Sequence, residues 1–171
     1  MMKKKAMMLA VVLAGLLTVA NAQSEYKSAI GARLGTEYWD AFSGSYKTFI
    51  SDKGALEFNA GLGGRYHATT LSASGSFQYH FDIGDIAGFK WFVGGGATVF
   101  HSFYNNSKYG STTDYGGSGF GIFPTGGVDY KFANIPLNLS VDARPTIIVA
   151  GGSAYNSFNG SAGISARYTF K

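Results

Sequence analysis

The last twelve residues, Gly160–Lys171, read GSAGISARYTFK and decide the fold. Apolar and polar residues alternate there, with Ile164, Ala166, Tyr168 and Phe170 in one set and Ser165, Arg167 and Thr169 in the other. Because neighbouring side chains of a β-strand point to opposite faces, the segment predicts a strand with one apolar face and one face that carries an arginine. In a soluble sandwich the apolar face would line the core. In a membrane barrel it would face lipid, and the arginine would point inward.

The same two-residue period continues through most of the chain, without the spacing of an amphipathic helix. It predicts eight strands, at Lys27–Tyr38, Gly44–Ser51, Ala55–Tyr66, Thr70–Phe81, Phe89–Phe103, Gly119–Phe132, Pro136–Val149 and Gly160–Phe170. In the fourth strand, Leu71 and Phe77 share one face and Gln78 lies on the other. An exported soluble sandwich would show the same alternation, so the alternation alone leaves both folds open.

The connections between these strands differ in length in a regular way. Ser51–Gly54, Asp82–Gly88 and Ala133–Ile135 are short, whereas Tyr104–Ser118 and Ala150–Asn159 are long and rich in glycine, serine, asparagine and tyrosine. Outer-membrane barrels have short turns on the periplasmic side and longer loops outside. An even number of strands also returns both ends of the chain to the same side.

Aromatic residues gather near the predicted strand ends. At the end with short turns they are Tyr79, Phe81, Phe89, Trp91, Tyr130, Phe132, Tyr168 and Phe170, and at the other end Tyr38, Trp39, Tyr46, Tyr66, Phe103 and Tyr104. A soluble sandwich has no reason to sort aromatics by depth, whereas two aromatic girdles flank the apolar band of an outer-membrane barrel. The sequence therefore predicts an all-β fold, an eight-stranded antiparallel up-and-down transmembrane β-barrel in a bacterial outer membrane.

The first 22 residues have the three parts of a secretory signal peptide. Lys3–Lys5 are basic, Ala6–Val19 are apolar, and Ala20–Ala22 form a small-residue cleavage site. We therefore expect cleavage after residue 22 and a single barrel domain over residues 23–171. The chain has no cysteine, so no disulfide stabilises this exported domain. Without the leader the charges nearly balance, which gives no reason to expect a nucleic-acid partner.

Four segments carry a family resemblance. They are IGARLGTEY (Ile30–Tyr38), SYKTFISDKGALEFNAGLG (Ser45–Gly63), GGVDYKFANIPLNLSVDARP (Gly126–Pro145) and AGISARYTF (Ala162–Phe170), which resemble small OmpX- and OmpA-like outer-membrane barrels in order and spacing. The resemblance implies an eight-stranded barrel and implies little about activity. The ending YTF also resembles the terminal signal that the barrel-assembly machinery reads, with Tyr168 and Phe170 as its aromatics. That signal normally ends on the aromatic, whereas here Lys171 follows.

Charged residues at inward positions form the main candidate site. They are Arg33, Lys47, Glu57, Lys90, Asp129, Lys131, Asp142, Arg144 and Arg167, accompanied by Gln78 and His80. An eight-stranded barrel has room for side chains and little else, and buried charges must be paired. Glu57 lies one strand from Lys47, and Asp129 lies near Asp142 and Arg144 across the sixth and seventh predicted strands. We expect a polar plug that fills the lumen, with a narrow pore as the alternative.

No catalytic residue is predicted, and we expect that the chain is not an enzyme. His101 and Ser102 are adjacent, but adjacent residues of a strand face opposite ways and cannot readily form a nucleophile–base pair. His67 stands alone at a loop, and His80 faces the lumen. The alternative is a lipid A-modifying enzyme, which some small barrels are. The deacylases among them carry a His-x-Ser arrangement on one face, which this sequence lacks.

The long loops are the remaining candidate surface. Their possible binding residues are Tyr104, Asn105, Asn106, Tyr109, Tyr115, Tyr155, Asn156 and Phe158. Aromatic and amide side chains on a Gly/Ser backbone suit adaptable recognition, here of an unknown extracellular ligand. Asp40 and Asp114 are the only acids in these outer loops, so no metal and no cofactor is predicted. Outer-membrane lipid and the barrel-assembly machinery are the expected partners of a monomeric protein.

Overall fold

A computed structural model describes residues 26–65, 68–84, 86–104, 117–151 and 158–171, with the side chains of residues 65 and 104 left out. The predicted signal peptide lies outside this part of the chain. The described residues form the strands β1 (Ser28–Gly35), β2 (Phe42–Phe49), β3 (Gly54–Arg65), β4 (Ala68–Asp82), β5 (Phe89–Tyr104), β6 (Gly117–Lys131), β7 (Leu137–Ala143), β8 (Thr146–Gly151), β9 (Phe158–Asn159) and β10 (Ala162–Phe170).

The strands form one closed antiparallel barrel. Each strand from β1 to β6 pairs with the next, and β1 pairs with β10 from Ser28↔Phe170 to Gly35↔Gly163. Both β7 and β8 pair with β6, while β10 pairs with β7 and β9 with β8. β7 and β8 are therefore the two parts of one interrupted strand, and β9 and β10 are the two parts of another. Counted in this way, the wall has the eight strands that the sequence predicts.

The predicted strand Pro136–Val149 is divided at Arg144 and Pro145 because proline has no N–H to donate. The Arg144 N–H donates to the carbonyl oxygen of Ser161 at 2.8 Å, on the β10 side. Pro145 therefore faces β6, where the pairs on either side of it place Pro124 directly opposite. Neither proline can donate, so this position of the wall lacks the two hydrogen bonds that such a pair exchanges.

The faces of β10 answer the question raised by its sequence. Tyr168 is 55% exposed on the outside of the barrel, whereas Arg167 is 1% exposed and points inward. The same alternation of exposed and buried positions runs along β10 as a whole. The outer surface is apolar elsewhere too, with exposed Leu34, Phe58, Val99 and Val141. The apolar faces predicted from the sequence thus form the outside of the barrel.

The two ends of the barrel differ. At the turn end lie residues 50–53, 83–84, 86–88 and 132–136, and at the loop end lie residues 36–41. Gly88 in the second short turn has a φ of +79°, and an added Cβ there would collide with the Lys131 carbonyl. β1 ends earlier than predicted because the chain turns back after Gly35, whose N–H donates to the Ala41 carbonyl at 3.1 Å.

Two aromatics differ from their predicted places in the loop-end girdle. Trp39 is only 2% exposed and lies inside the barrel, because residues 36–41 fold inward. Tyr46 lies opposite Ile30, whose other neighbour is Tyr168, and so belongs to the girdle at the turn end. Other members, such as Phe81 and Trp91, stack with ring centroids 4.3 Å apart at the turn end, as expected.

No helix in the described ranges is long and apolar enough to cross a membrane.

Candidate functional site

A network of buried charged side chains occupies the interior of the barrel. Its cations are Arg33, Lys47, Arg144 and Arg167, and its anions are Asp40, Glu57, Asp129 and Asp142, none of them more than 9% exposed. Six of them come from inward positions of the strands, whereas Arg144 lies in the break between β7 and β8 and Asp40 lies in the turn after β1. Among the described residues, these four cations and four anions balance in formal charge.

Arg33 organises the part of the network nearest the loop end. Its Nε and Nη2 donate to the two carboxylate oxygens of Asp142 at 3.1 and 2.7 Å. Its Nη1 donates to Asp40 at 2.6 Å. Bidentate guanidinium–carboxylate bonds are strong and directional. Arg33 thereby ties the loop-end turn to strands β1 and β7.

Glu57 is the central anion of the network. The Nη2 atoms of Arg144 and Arg167 lie 2.7 and 2.9 Å from its Oε1. Gln78 donates to its Oε2 at 2.8 Å. Arg144 also lies 2.8 Å from Asp142 through Nε, which connects this group to the Arg33 group.

Asp129 anchors the part of the network nearest the turn end. Lys47 donates to it at 2.7 Å and Asn138 at 2.5 Å, while His80 Nε2 lies 3.5 Å away. Tyr26, which precedes β1, donates its hydroxyl to Asp129 at 3.3 Å. Burial, together with the negative charge of Asp129, raises the pKa of Tyr26 well above its ordinary value of 10.0. The tyrosine therefore stays a hydrogen-bond donor.

The structure pairs some predicted residues differently from the sequence analysis. Lys47 and Glu57 are neighbours across β2 and β3, yet Lys47 bonds to Asp129 on the far side of the lumen. The side chains of an eight-stranded barrel are long enough to meet across its narrow interior. Strand neighbours are therefore not the only available partners.

Two predicted members, Lys90 and Lys131, lie outside the network. Lys90 Nζ is 3.3 Å from the carboxylate of Asp82, whose side chain is 68% exposed. Lys131 donates to the backbone carbonyls of Phe132 and Ile135. Both lysines occupy strand ends, where a long side chain reaches the rim instead of the interior.

Aromatic rings fill the spaces that the charges leave. Near the loop end, Trp39 stacks on Phe100 with centroids 4.8 Å apart and planes 8° apart. Towards the turn end, Lys47 Nζ lies 4.9 Å from the centroid of Phe92, a cation–π distance. Rings and ion pairs therefore lie side by side inside the barrel.

The inward turn at the loop end contains a second acid. Glu37 is 7% exposed and lies close to Asp40 and Arg33. Burial, assisted by the charge of Asp40 and opposed by Arg33, raises the pKa of Glu37 to about 7. This carboxyl group therefore titrates near neutral pH.

At the turn end the lumen widens into an open cavity of about 590 Å³. Asp129 and Asn138 line its inner part. The lysines at its mouth are Lys27, Lys90, Lys131 and Lys171. Because Asp129 belongs to the charge network, the network forms part of the lining of this turn-end cavity.

On the outer surface, the structure joins a histidine and a serine that the sequence analysis did not connect. Ser102 points inward, as expected, and shares a 2.8 Å hydrogen bond with Thr70. His101 points outward and meets Ser118, with 2.8 Å between Nδ1 and Oγ. The two residues are 17 apart in sequence and become neighbours through the β5–β6 register. Predicting this pair from the sequence would have required the β5–β6 register.

Most predicted loop-binding residues lie outside the described part of the chain. These are Asn105, Asn106, Tyr109, Tyr115, Tyr155 and Asn156, and they share this position with His67 and Asp114. Tyr104 ends β5. Phe158 opens β9, and its side chain is 63% exposed at the loop end. Loop binding therefore stays a prediction. Within the described ranges, no three acidic, histidine or cysteine side chains are grouped so that they could hold a metal ion.

The barrel resembles a solved outer-membrane structure. No family model matches the chain, and neither does any curated protein. The crystal structure of Neisserial surface protein A (NspA) matches with a TM-score of 0.56 and 17% sequence identity, over 84% of this chain and 94% of that one. At this identity the likeness concerns the fold, and it agrees with the predicted eight-stranded barrel. The OmpX- and OmpA-like family resemblance stays a prediction.

Proposed function

We propose that the protein is an outer-membrane β-barrel with a structural or surface-binding role, in which the loops, and not the lumen, face its partners. The observation that carries this proposal is the position of the charges. A barrel with an apolar outer wall and a buried ionic interior suits a lipid environment, since a charge on the outer wall would be costly there. The likeness to NspA, a protein titled a surface protein, supports the same location.

A closed lumen is part of the same proposal. The side chains of Glu57, Arg144 and Arg167 meet across the interior, and Trp39 and Phe100 cover the loop end. A narrow pore is the second candidate, and the open cavity at the turn end is the feature that favours it. The paired charges favour a plug instead, because an ion entering the lumen would have to displace charge-assisted hydrogen bonds.

The location and the orientation can be tested by cysteine labelling, because the chain has no cysteine of its own. Phe158→Cys places a thiol at the loop end, and Lys53→Cys places one in a short turn at the turn end. A membrane-impermeant maleimide applied to intact cells should label the first variant only. After the cells are lysed, both variants should react. Labelling of Lys53→Cys alone on intact cells, or recovery of the protein in the soluble fraction, would contradict the proposal.

A further inference from the structure

His101 and Ser118 form a polar pair on the apolar outer wall. They lie directly opposite each other in β5 and β6, and the imidazole Nδ1 is 2.8 Å from the serine Oγ. The ring of Phe103 packs edge-on against His101 with centroids 4.5 Å apart, which restrains the imidazole. A hydroxyl with a base within hydrogen-bond reach is the geometric requirement for an activated serine.

An apolar groove of about 560 Å³ adjoins this pair. Val99 and Phe120 form its walls, and small residues, namely Ala73, Ala150 and Gly151, leave room between them. The groove lies on the outer wall and reaches the His101–Ser118 pair at its polar end. Its apolar lining suits a hydrocarbon chain.

The depth of the pair follows from the length of β5. His101 comes ten residues after Trp91, which stacks on Phe81 in the turn-end girdle. At 3.3 Å per residue and a tilt near 40°, this separation spans about 25 Å of the barrel's height, which equals the height of the apolar band of such barrels. The pair therefore lies at the boundary of the band on the loop side. This step rests on the proposed outer-membrane location, in which the ester groups of outer-leaflet lipids lie at that level.

We propose that His101 and Ser118 form a catalytic dyad that hydrolyses an ester-linked acyl chain of an outer-leaflet lipid. The acyl chain occupies the groove and brings its ester carbonyl to Ser118. His101 Nδ1 takes the serine proton as Oγ forms a bond to the carbonyl carbon. The ester C–O bond then breaks, and the departing alcohol oxygen receives that proton from His101. A water molecule, deprotonated by His101, releases the fatty acid and restores the serine.

The dyad is simpler than a full triad. In the described part of the chain, no carboxylate is hydrogen-bonded to His101, whereas triad enzymes use such a group to orient the base. We therefore expect slow turnover, and a covalent probe is the appropriate first measurement. This activity replaces the expectation that the chain is not an enzyme.

The test uses the folded protein in detergent micelles. A fluorophosphonate probe should label the wild type covalently at Ser118, and para-nitrophenyl palmitate should be hydrolysed. Ser118→Ala should abolish labelling, and His101→Ala should lower the rate of labelling at least about a hundredfold. Ser102→Ala is the matched control: it alters the neighbouring, inward serine and should leave labelling unchanged. Heat-modifiable migration on gels confirms that each variant is folded.

The groove has its own test. Ala150→Trp should fill it and lower the ratio of palmitate to acetate ester hydrolysis. A folded wild type that is not labelled, or labelling that persists in Ser118→Ala, would overturn the dyad. These outcomes leave the cysteine-labelling result untouched, so failure of the dyad and failure of the outer-membrane location are distinguishable.

Discussion

Glu57 shows how strongly single residues are coupled inside this barrel. Its carboxylate serves Arg144 and Arg167 together, at 2.7 and 2.9 Å. Glu57→Gln removes that charge and leaves two buried guanidinium groups without their shared anion. Breaking a buried ion pair from one side typically costs 3–5 kcal/mol, so we expect a loss of about 3–5 kcal/mol in the free energy of unfolding. Urea unfolding of the protein in phospholipid vesicles, followed by tryptophan fluorescence, measures it.

Asp82→Asn is the matched control for this experiment. It also removes one carboxylate, but Asp82 pairs with Lys90 at the rim, where the Asp82 side chain is 68% exposed. Exposed pairs contribute less than about 1 kcal/mol, so this variant should unfold almost as the wild type does. Equal losses for the two substitutions would mean that the buried network does not stabilise the barrel.

At the scale of single elements, the terminal strand β10 has one face on the outer wall and the other towards the lumen. Phe170 is 42% exposed on the outer wall, whereas Thr169 is 7% exposed and points inward. A polar group on the outer face is costly to insert into lipid, so Phe170→Ser should reduce the folded fraction while leaving export intact. Tyr168→Ser should act in the same direction, and Thr169→Ser should assemble normally. The folded fraction in outer-membrane extracts is read from heat-modifiable migration; assembly of Phe170→Ser with failure of Thr169→Ser would contradict the prediction.

The inward turn at residues 36–41 should respond to pH through Glu37. Its pKa rises from 4.5 to about 7 on folding, so between these values the folded state holds a proton that the unfolded state has released. This contribution to stability is therefore complete below about pH 4.5 and is lost as the pH rises through 7. The urea midpoint of the wild type should fall between pH 5 and pH 8 relative to that of Glu37→Gln, which cannot titrate. A constant difference between the two proteins across this range would be the contrary result.

For the molecule as a whole, the proposed plug predicts that the barrel does not conduct ions. Purified protein in planar bilayers should show no stable, large single-channel currents, because an ion would have to displace the charge-assisted hydrogen bonds of the network. Trp39→Ala removes the stack with Phe100 but leaves the ion pairs in place, so it should remain closed as well. Stable currents from the wild type would favour a pore. Currents from Trp39→Ala alone would assign the seal to the aromatic stack.

The sequence predicts the position of a residue where its immediate neighbours along the chain determine which way it points. Parity along one strand places Arg167 inside and Phe170 outside, because the alternation is local. The inward fold of Trp39 and Asp40 depends on side chains from distant strands, namely Phe100 and Arg33. Contacts of this kind have no local pattern in the sequence.

Two kinds of side-chain pairing are absent from the local sequence pattern for the same reason. Ser118 meets His101 only through the β5–β6 register. Whether a buried cation pairs with an anion on a neighbouring strand or on the opposite strand depends on the inner diameter of the barrel. Both depend on closure of the wall, which no single segment encodes.

Pro124 and Pro145 face each other on adjacent strands and divide the pairing of β6 with its neighbour into two separate ladders. On the turn side of Pro124 and Pro145, six residue pairs join β6 to β7, from Gly126↔Ala143 to Lys131↔Asn138. On the loop side only four join β6 to β8, with a bulge at Phe120 and Gly121. Because the interruption uncouples the two ladders, the shorter one can open locally while the longer one stays paired. Amide protons of β8 should therefore exchange with solvent deuterium well before those of β7. The two prolines thus mark the place where local opening of the barrel wall stops.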